Sequence, residues 1–149
     1  GAAAWLAHAH EAAPPPGAEL DPREVLNRVW FDKYPEKRRD EVNVLLFFSS
    51  GIGLRDSGSA FRSTFDLFEF ERQRDKVAVV YFQDKKRIET SFKVVRCDDD
   101  PPFNVCLELA ESPGGPKRYH GFYYEDEMDS AVPWARALRQ SAEERVRAR

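Results

Sequence analysis

FRSTFDLFEF at residues 61–70 and RIETSFKVVRC at residues 87–97 place apolar side chains at every second position. This alternation is typical of a β-strand with one buried face and one wet face. Similar runs, separated by turn residues, continue from Val42 to Tyr124, and every Phe except Phe31 lies in that range. Antiparallel strands in a continuous meander tend to curl and close. The sequence therefore predicts a mostly β protein, an antiparallel up-and-down β-barrel of about seven or eight strands.

Two helices are expected outside the predicted strands. Asp21 followed by Pro22 combines an N-cap side chain with proline at the first helical position, which predicts a short helix through Asn27. Residues 133–148 carry Trp134 and Leu138 along one side at helical spacing, which predicts a C-terminal helix. The strands are expected at residues 28–31, 41–49, 61–72, 77–82, 87–97, 104–110 and 117–124.

Three local features qualify this pattern. The segment with Gly51 and Gly58 is glycine-rich and is expected to be a mobile hairpin or flap at the barrel mouth. The apolar phase shifts by one position between Leu67 and Phe68, which indicates a β-bulge. Residues 44–48 are apolar on both faces, so either an outside element covers them or a bulge switches their faces.

Length and charge limit the class of protein. The 149 residues suffice for one domain with a core, and a net charge of −3 without a long basic stripe argues against a nucleic-acid partner. No apolar run approaches the roughly 18–20 residues of a membrane span. We expect residues 1–19 to be a disordered leader or tether and residues 20–149 to be the domain. An exported protein is favoured over a cytoplasmic one.

The two cysteines have matching strand parity. Ile88 and Val94 are expected to face inward, so Cys97 faces outward, and the same argument from Val105 turns Cys106 outward. In a hairpin centred between them the cysteines would lie opposite each other, at a separation of about 4.5–5.5 Å between Cβ atoms that suits a disulfide. The alternative is a pair of free surface thiols in a cytosolic protein.

The inward face of the predicted barrel supplies the candidate ligand-binding residues. Large aromatic side chains there either line a pocket for an apolar ligand or fill the core and leave no cavity. Polar side chains from the last strand join them if their face is the inner one. The candidates are Phe61, Phe65, Tyr81, Phe92, Arg118, His120, Phe122 and Tyr124.

No motif points to catalysis, a metal or a cofactor. Residues 49–53, SSGIG, are neither a nucleophile elbow nor a phosphate loop. The three consecutive carboxylates at Asp98, Asp99 and Asp100 favour a solvated loop over a calcium site. His120, with Arg118 and Tyr124, leaves a weaker hypothesis open, a barrel enzyme or haem binder.

A family resemblance supports the barrel. The Trp-bearing segment at residues 29–31, the stretch LFFSSGIG at residues 46–53 and the C-terminal helix together resemble the lipocalin-like branch of the calycins, as found in bacterial domains. The resemblance implies binding of a small hydrophobic molecule and no enzymatic activity. It also implies that Trp30 packs across the closed end of the barrel.

Two functions are therefore carried forward. The first is a non-enzymatic barrel that binds a small apolar ligand or serves as an accessory binding module. The second is a protein-interaction or assembly barrel with a filled core. It would use the outer face of the second strand, the helix with Trp134 and Leu138, or the loop from Gly51 to Gly58.

Overall fold

Eight antiparallel strands form a closed barrel, which confirms the predicted fold class. The computed structural model describes residues 14–124 and 133–148, with side chains in the second range from Ala135 onward. Most of the predicted leader and the side chain of Trp134 lie outside the described residues. The strands are β1 (Trp30–Phe31), β2 (Val42–Phe47), β3 (Ile52–Gly58), β4 (Ser63–Gln73), β5 (Lys76–Tyr81), β6 (Arg87–Arg96), β7 (Val105–Leu109) and β8 (Arg118–Gly121). Each strand pairs with the next, and β1 closes the ring by pairing with β8.

The two ends of the barrel differ. We call the end with the β2–β3 turn the base, and the opposite end, where residues 110–117 connect β7 to β8, the mouth. A 3₁₀ helix, Pro22–Val25, packs at the base, and the Asp21 side chain caps it by accepting a hydrogen bond from the Arg23 amide. Trp30 is fully buried there, and its indole nitrogen donates to the Val25 carbonyl at 3.0 Å.

Aromatic and aliphatic side chains fill the barrel interior. Phe47 makes edge contacts with Phe68 and Phe70 at ring-centroid distances of 5.5 and 5.1 Å, and Phe68 contacts Tyr81 at 5.6 Å. The gap between Phe47, Phe92 and their neighbours is too narrow for a water molecule. This interior core comprises Val25, Trp30, Leu45, Phe47, Phe68, Val77, Val79, Tyr81, Phe92, Val94, Val105, Leu107, Leu109 and Tyr119.

A second core lies outside the barrel wall, beneath the C-terminal helix α1 (Pro133–Arg147). Ala135 and Ala142 are buried against it, and Leu138 is half-buried. This outer core comprises Val29, Phe31, Val42, Val44, Leu46, Leu54, Phe103, Phe122, Ala135 and Ala142. A covering element, and not a bulge, therefore explains why residues 44–48 are apolar on both faces. Across residues 14–124 and 133–148, no helix combines the length and apolar character needed to cross a bilayer.

The prediction of a mobile hairpin or flap from Gly51 to Gly58 is wrong. Most of this segment forms β3, which is paired with β2 and β4. Gly53 lies opposite Phe68, and a Cβ atom built on it would stand 2.0 Å from the Phe68 ring. An aromatic side chain can lie over a strand glycine in this way and cover its exposed backbone. The glycine that suggested flexibility is required for close packing.

The expected β-bulge at Leu67 and Phe68 is also wrong. The pairing of β4 with β3 runs without interruption from Ile52 opposite Glu69 to Gly58 opposite Ser63. The apolar phase shifts because the two halves of β4 face different cores. Leu67 packs against the outer core, whereas Phe68 lies in the interior.

The domain begins earlier than the expected boundary at residue 20. The Gly17 amide donates to the Arg96 carbonyl at 2.6 Å, and the Leu20 amide donates to the Val94 carbonyl at 2.8 Å. Glu19 forms an isolated bridge with Val95. The end of β6 extends beyond its pairing with β5. Residues 17–20 therefore bond to the backbone groups of β6 that β5 leaves unpaired.

The predicted disulfide is confirmed, with a different register. Cys97 and Cys106 are bonded, with their Cα atoms 5.9 Å apart. Cys106 is paired with Val95, so the two cysteines are diagonal neighbours and not direct partners. A shift of two residues keeps both side chains on the outer face, which is why the parity argument found the right pair from the wrong register.

Replacing Gly53 with alanine tests the contact with Phe68. We expect Gly53→Ala to lower the free energy of unfolding by about 3 kcal/mol, because the new methyl group overpacks the ring. Gly17→Ala is the control. Its φ of +88° adds a conformational penalty of about 1 kcal/mol that Gly53 does not have, but no atom lies within 4 Å of the new methyl group. Urea unfolding measures both variants.

A double mutant separates crowding from other effects of the methyl group. If the Phe68 ring causes the loss, Gly53→Ala costs far less in a Phe68→Ala background than in the wild type. Equal costs in the two backgrounds would contradict the packing described for β3 and β4.

Candidate functional site

A cleft of about 670 Å³ lies on the outer side of the barrel near the mouth. Its floor is apolar and consists of Phe31, Val42, Val44 and Leu138. Its rim comes from residues 35–38 and Asp40, which follow β1, and from residues 58–60 and Ser63, at the connection from β3 to β4. The volume lies within the range of about 300–1,000 Å³ that is typical of small-molecule pockets.

An ion pair between a buried carboxylate and a partly exposed guanidinium closes one side of the cleft. The Asp56 carboxylate is 3.1 Å from Nη1 of Arg145, and Asp56 is only 7% exposed. Asp56 follows Arg55 on β3 and points outward, whereas Arg145 comes from the last turn of α1. Burial raises the pKa of Asp56, and the Arg145 charge opposes that rise. The pair therefore ties the end of the helix to the barrel wall.

The Arg145 guanidinium makes a second contact, with the ring of Phe65. The guanidinium carbon is 4.5 Å from the ring centroid, which is a cation–π distance. Phe65 is 42% exposed and Phe61, in the preceding loop, is 72% exposed. Aromatic surface thus continues from this edge of the cleft onto the outside of the molecule.

Local hydrogen bonds shape the charged part of the rim. The Asp40 carboxylate accepts from the backbone amides of Glu36 and Lys37 at 3.0 and 2.9 Å. The Ala60 amide donates to the Arg38 carbonyl at 3.0 Å, which joins the two rim loops. The rim thereby presents charges of both signs around an apolar floor.

The predicted interior placement is wrong for six of the eight candidate residues. Tyr81 and Phe92 lie in the interior core. Parity grouped the others correctly by face, but that face is the outer one, because both faces of the wall are apolar. Those outside the interior are Phe61, Phe65, Arg118, His120, Phe122 and Tyr124.

His120 lies on the outer face, beside the disulfide, and does not converge with Tyr124 in a pocket. Its Nε2 is 3.3 Å from a carboxylate oxygen of Asp99, and its ring is 5.7 Å from that of Phe103. Arg118 contacts the same carboxylate at 3.3 Å. This geometry removes the basis for the hypothesis of a haem pocket or catalytic centre inside the barrel.

Sequence reasoning missed a polar cluster inside the mouth. Arg55 points inward on β3, and the buried Tyr119 points inward on β8. Burial raises the pKa of Tyr119 to about 12, so its hydroxyl stays protonated. Tyr81 donates to the Pro113 carbonyl and so holds the β7–β8 loop over the cluster. Strand parity gives a signal for Arg55 only when residues 52–58 are recognised as a strand, and the glycines there predict a loop instead.

Comparisons with known proteins add no relative. No protein-family model, curated protein or solved structure matches the chain. The eight-stranded antiparallel barrel is compatible with a lipocalin-like fold. The strand pairing alone supports this compatibility.

The raised pKa of Asp56 predicts an unusual pH dependence of stability. The folded state holds a proton on Asp56 at pH values where the unfolded chain has released it. This contribution therefore falls as the pH rises from about 4 through the raised pKa. Asp56→Asn lacks this titrating carboxyl group. We therefore expect its free energy of unfolding, relative to wild type, to increase with pH in urea titrations.

Arg145→Gln is the companion variant. Removing the opposing positive charge raises the pKa of Asp56 further, so in this variant the loss of stability with rising pH continues to a higher pH than in wild type. A flat difference between Asp56→Asn and wild type across this pH range would contradict the burial of this carboxylate.

Proposed function

We propose that the protein is a non-enzymatic barrel that binds a small amphipathic molecule in the outer cleft. The observation that carries this proposal is the combination of an apolar floor, a ligand-sized volume and a partly exposed ion pair at one side. The filled interior at the base argues against the interior as the place for a hydrophobic ligand. Binding of a small apolar molecule, expected from the sequence, thus moves from the inside of the barrel to its outer wall.

The floor and the rim together define the class of ligand. Phe31, Val44 and Leu138 suit an aromatic or aliphatic body. Arg145 is one-third exposed, and Lys37 and Arg38 stand on the rim, so a negatively charged or hydrogen-bond-accepting end finds donors there. We infer an organic molecule of moderate size with an apolar body and a polar end.

The lipocalin-like relationship and export remain proposals. A closed antiparallel barrel, a buried Trp30 against an N-terminal helical turn and a C-terminal helix support the relationship. The Cys97–Cys106 disulfide supports an oxidising compartment, since disulfides persist outside the reducing cytosol.

A protein partner is the second candidate function. Phe61 follows the rim residue Ala60 and is 72% exposed, and an aromatic side chain this exposed is a common anchor of protein interfaces. In this case the cleft and Phe61 would form one contact surface. Phe61→Ala would weaken a protein complex and leave binding of a small molecule within the cleft largely unchanged.

A matched pair of serine-to-tryptophan variants tests ligand binding. Ser63 is exposed and lines the cleft, whereas Ser50 is exposed in the β2–β3 turn at the base. We expect the dye ANS to bind wild type and Ser50→Trp equally and to bind Ser63→Trp at least about tenfold more weakly, because the indole fills the cleft. Fluorescence titration measures the affinity, and native mass spectrometry of the wild type reports any co-purified molecule.

Equal loss of ANS binding in both variants would indicate general loosening of the fold. Unchanged binding in Ser63→Trp would contradict a site in the cleft. Urea unfolding of both variants checks that each remains folded under the conditions of the titration.

A further inference from the structure

We propose that the mouth of the barrel contains a separate anion site, in which Arg55 and Tyr119 bind the carboxylate group of a small organic acid. Both side chains point into the barrel and away from the outer cleft. The site is therefore independent of the proposed function, and the residues that form it are different ones.

Two buried hydrogen-bond donors in the mouth lack acceptors. Tyr119 is fully buried, and its hydroxyl has no hydrogen-bond partner in the part of the chain that the structure describes. The Nε atom of Arg55 is likewise buried and without a partner among those residues. A buried donor left unpaired is costly, and native proteins rarely retain one without a structural or functional reason.

The two neighbouring carboxylates are already engaged. Both carboxylate oxygens of Asp32 accept from Asn43, at 2.8 Å from its amide and 2.9 Å from its side chain. Asp66 is 3.9 Å from Nη1 of Arg55, beyond hydrogen-bond distance, and accepts from the Gln83 side chain at 2.8 Å. The Arg55 Nε and the Tyr119 hydroxyl are thus left facing the mouth without either carboxylate.

The chemistry of the two donors selects the ligand. Guanidinium nitrogens donate and do not accept, and a carboxylate accepts at both oxygens. Charge-assisted bonds of this kind are short and about twice as strong as neutral ones, and the planar guanidinium matches a carboxylate edge. A carboxylate group therefore supplies the acceptors that Arg55 and Tyr119 lack.

The covering of the site is thin. Gly114 and Gly115 lie against the Arg55 guanidinium, and a Cβ atom on either would stand 3.2 Å from it. Both have positive φ, +123° and +88°, so glycine allows this turn on steric and conformational grounds. The Arg55 side chain keeps 23% of its surface exposed, so the guanidinium is reachable past the turn. The carboxylate enters at this edge.

Nuclear magnetic resonance of the intact protein tests the site with sodium propionate as the probe. The side-chain Nε–H signal of Arg55, identified by its loss in Arg55→Lys, is followed at constant ionic strength. We expect a saturable shift in wild type and in Ser63→Trp, the cleft variant. Tyr119→Phe and Arg55→Gln are expected to weaken propionate binding at least about tenfold, the effect measured on backbone amides of the β7–β8 loop.

A stability measurement distinguishes a ligand site from a hydroxyl that is already satisfied. Without propionate, Tyr119→Phe should unfold at the same urea concentration as wild type or a higher one, because it removes an unpaired polar group. A lower midpoint would show that an internal partner such as water occupies the hydroxyl, and it would overturn the proposal. A shift that chloride reproduces would mean an adventitious ion only, and a shift that does not saturate would exclude a specific site.

Discussion

The burial of β2 on both faces is the constraint on which the rest of the structure depends. Leu45 and Phe47 point into the interior core, whereas Val44 and Leu46 point into the outer core. Because side chains alternate along a strand, a slip of one residue would exchange the two sets, which differ in shape and volume and not in polarity. Close packing in both cores therefore has to fix the register of β2, and α1 becomes part of the domain, since without it the outward set would face water.

The same double burial explains what could be predicted from the sequence. Apolar runs between turn residues located seven of the eight strands, and parity paired Cys97 with Cys106, because parity depends only on the period of two. Parity also grouped His120 with Phe122. It could not say which face was the interior, because a wall with two apolar sides gives the same pattern in either orientation. The glycines of β3 predict a loop, because the Phe68 ring that covers Gly53 comes from a different strand and cannot be inferred from the local sequence.

The adjacent residues Arg55 and Asp56 illustrate why the sites themselves were harder to predict. In sequence they form a polar pair next to a glycine-rich stretch, typical of a solvated loop. In the barrel they point to opposite sides of the wall. Arg55 enters the mouth, and Asp56 joins Arg145 in the outer cleft. One dipeptide therefore serves two separate environments, and only the strand assignment of β3 reveals this.

The shortest strand has a consequence for how the barrel moves. β1 contains only Trp30 and Phe31, and its pairing with β8 consists of a single residue pair, Phe31 opposite His120. Local opening in proteins follows the regions with the fewest backbone hydrogen bonds. Local opening of the barrel is thus expected first between β1 and β8. Trp30, packed in the interior core, and Phe31, packed in the outer core, oppose this opening. Side-chain packing therefore stabilises the closure of this sheet more than backbone hydrogen bonds do.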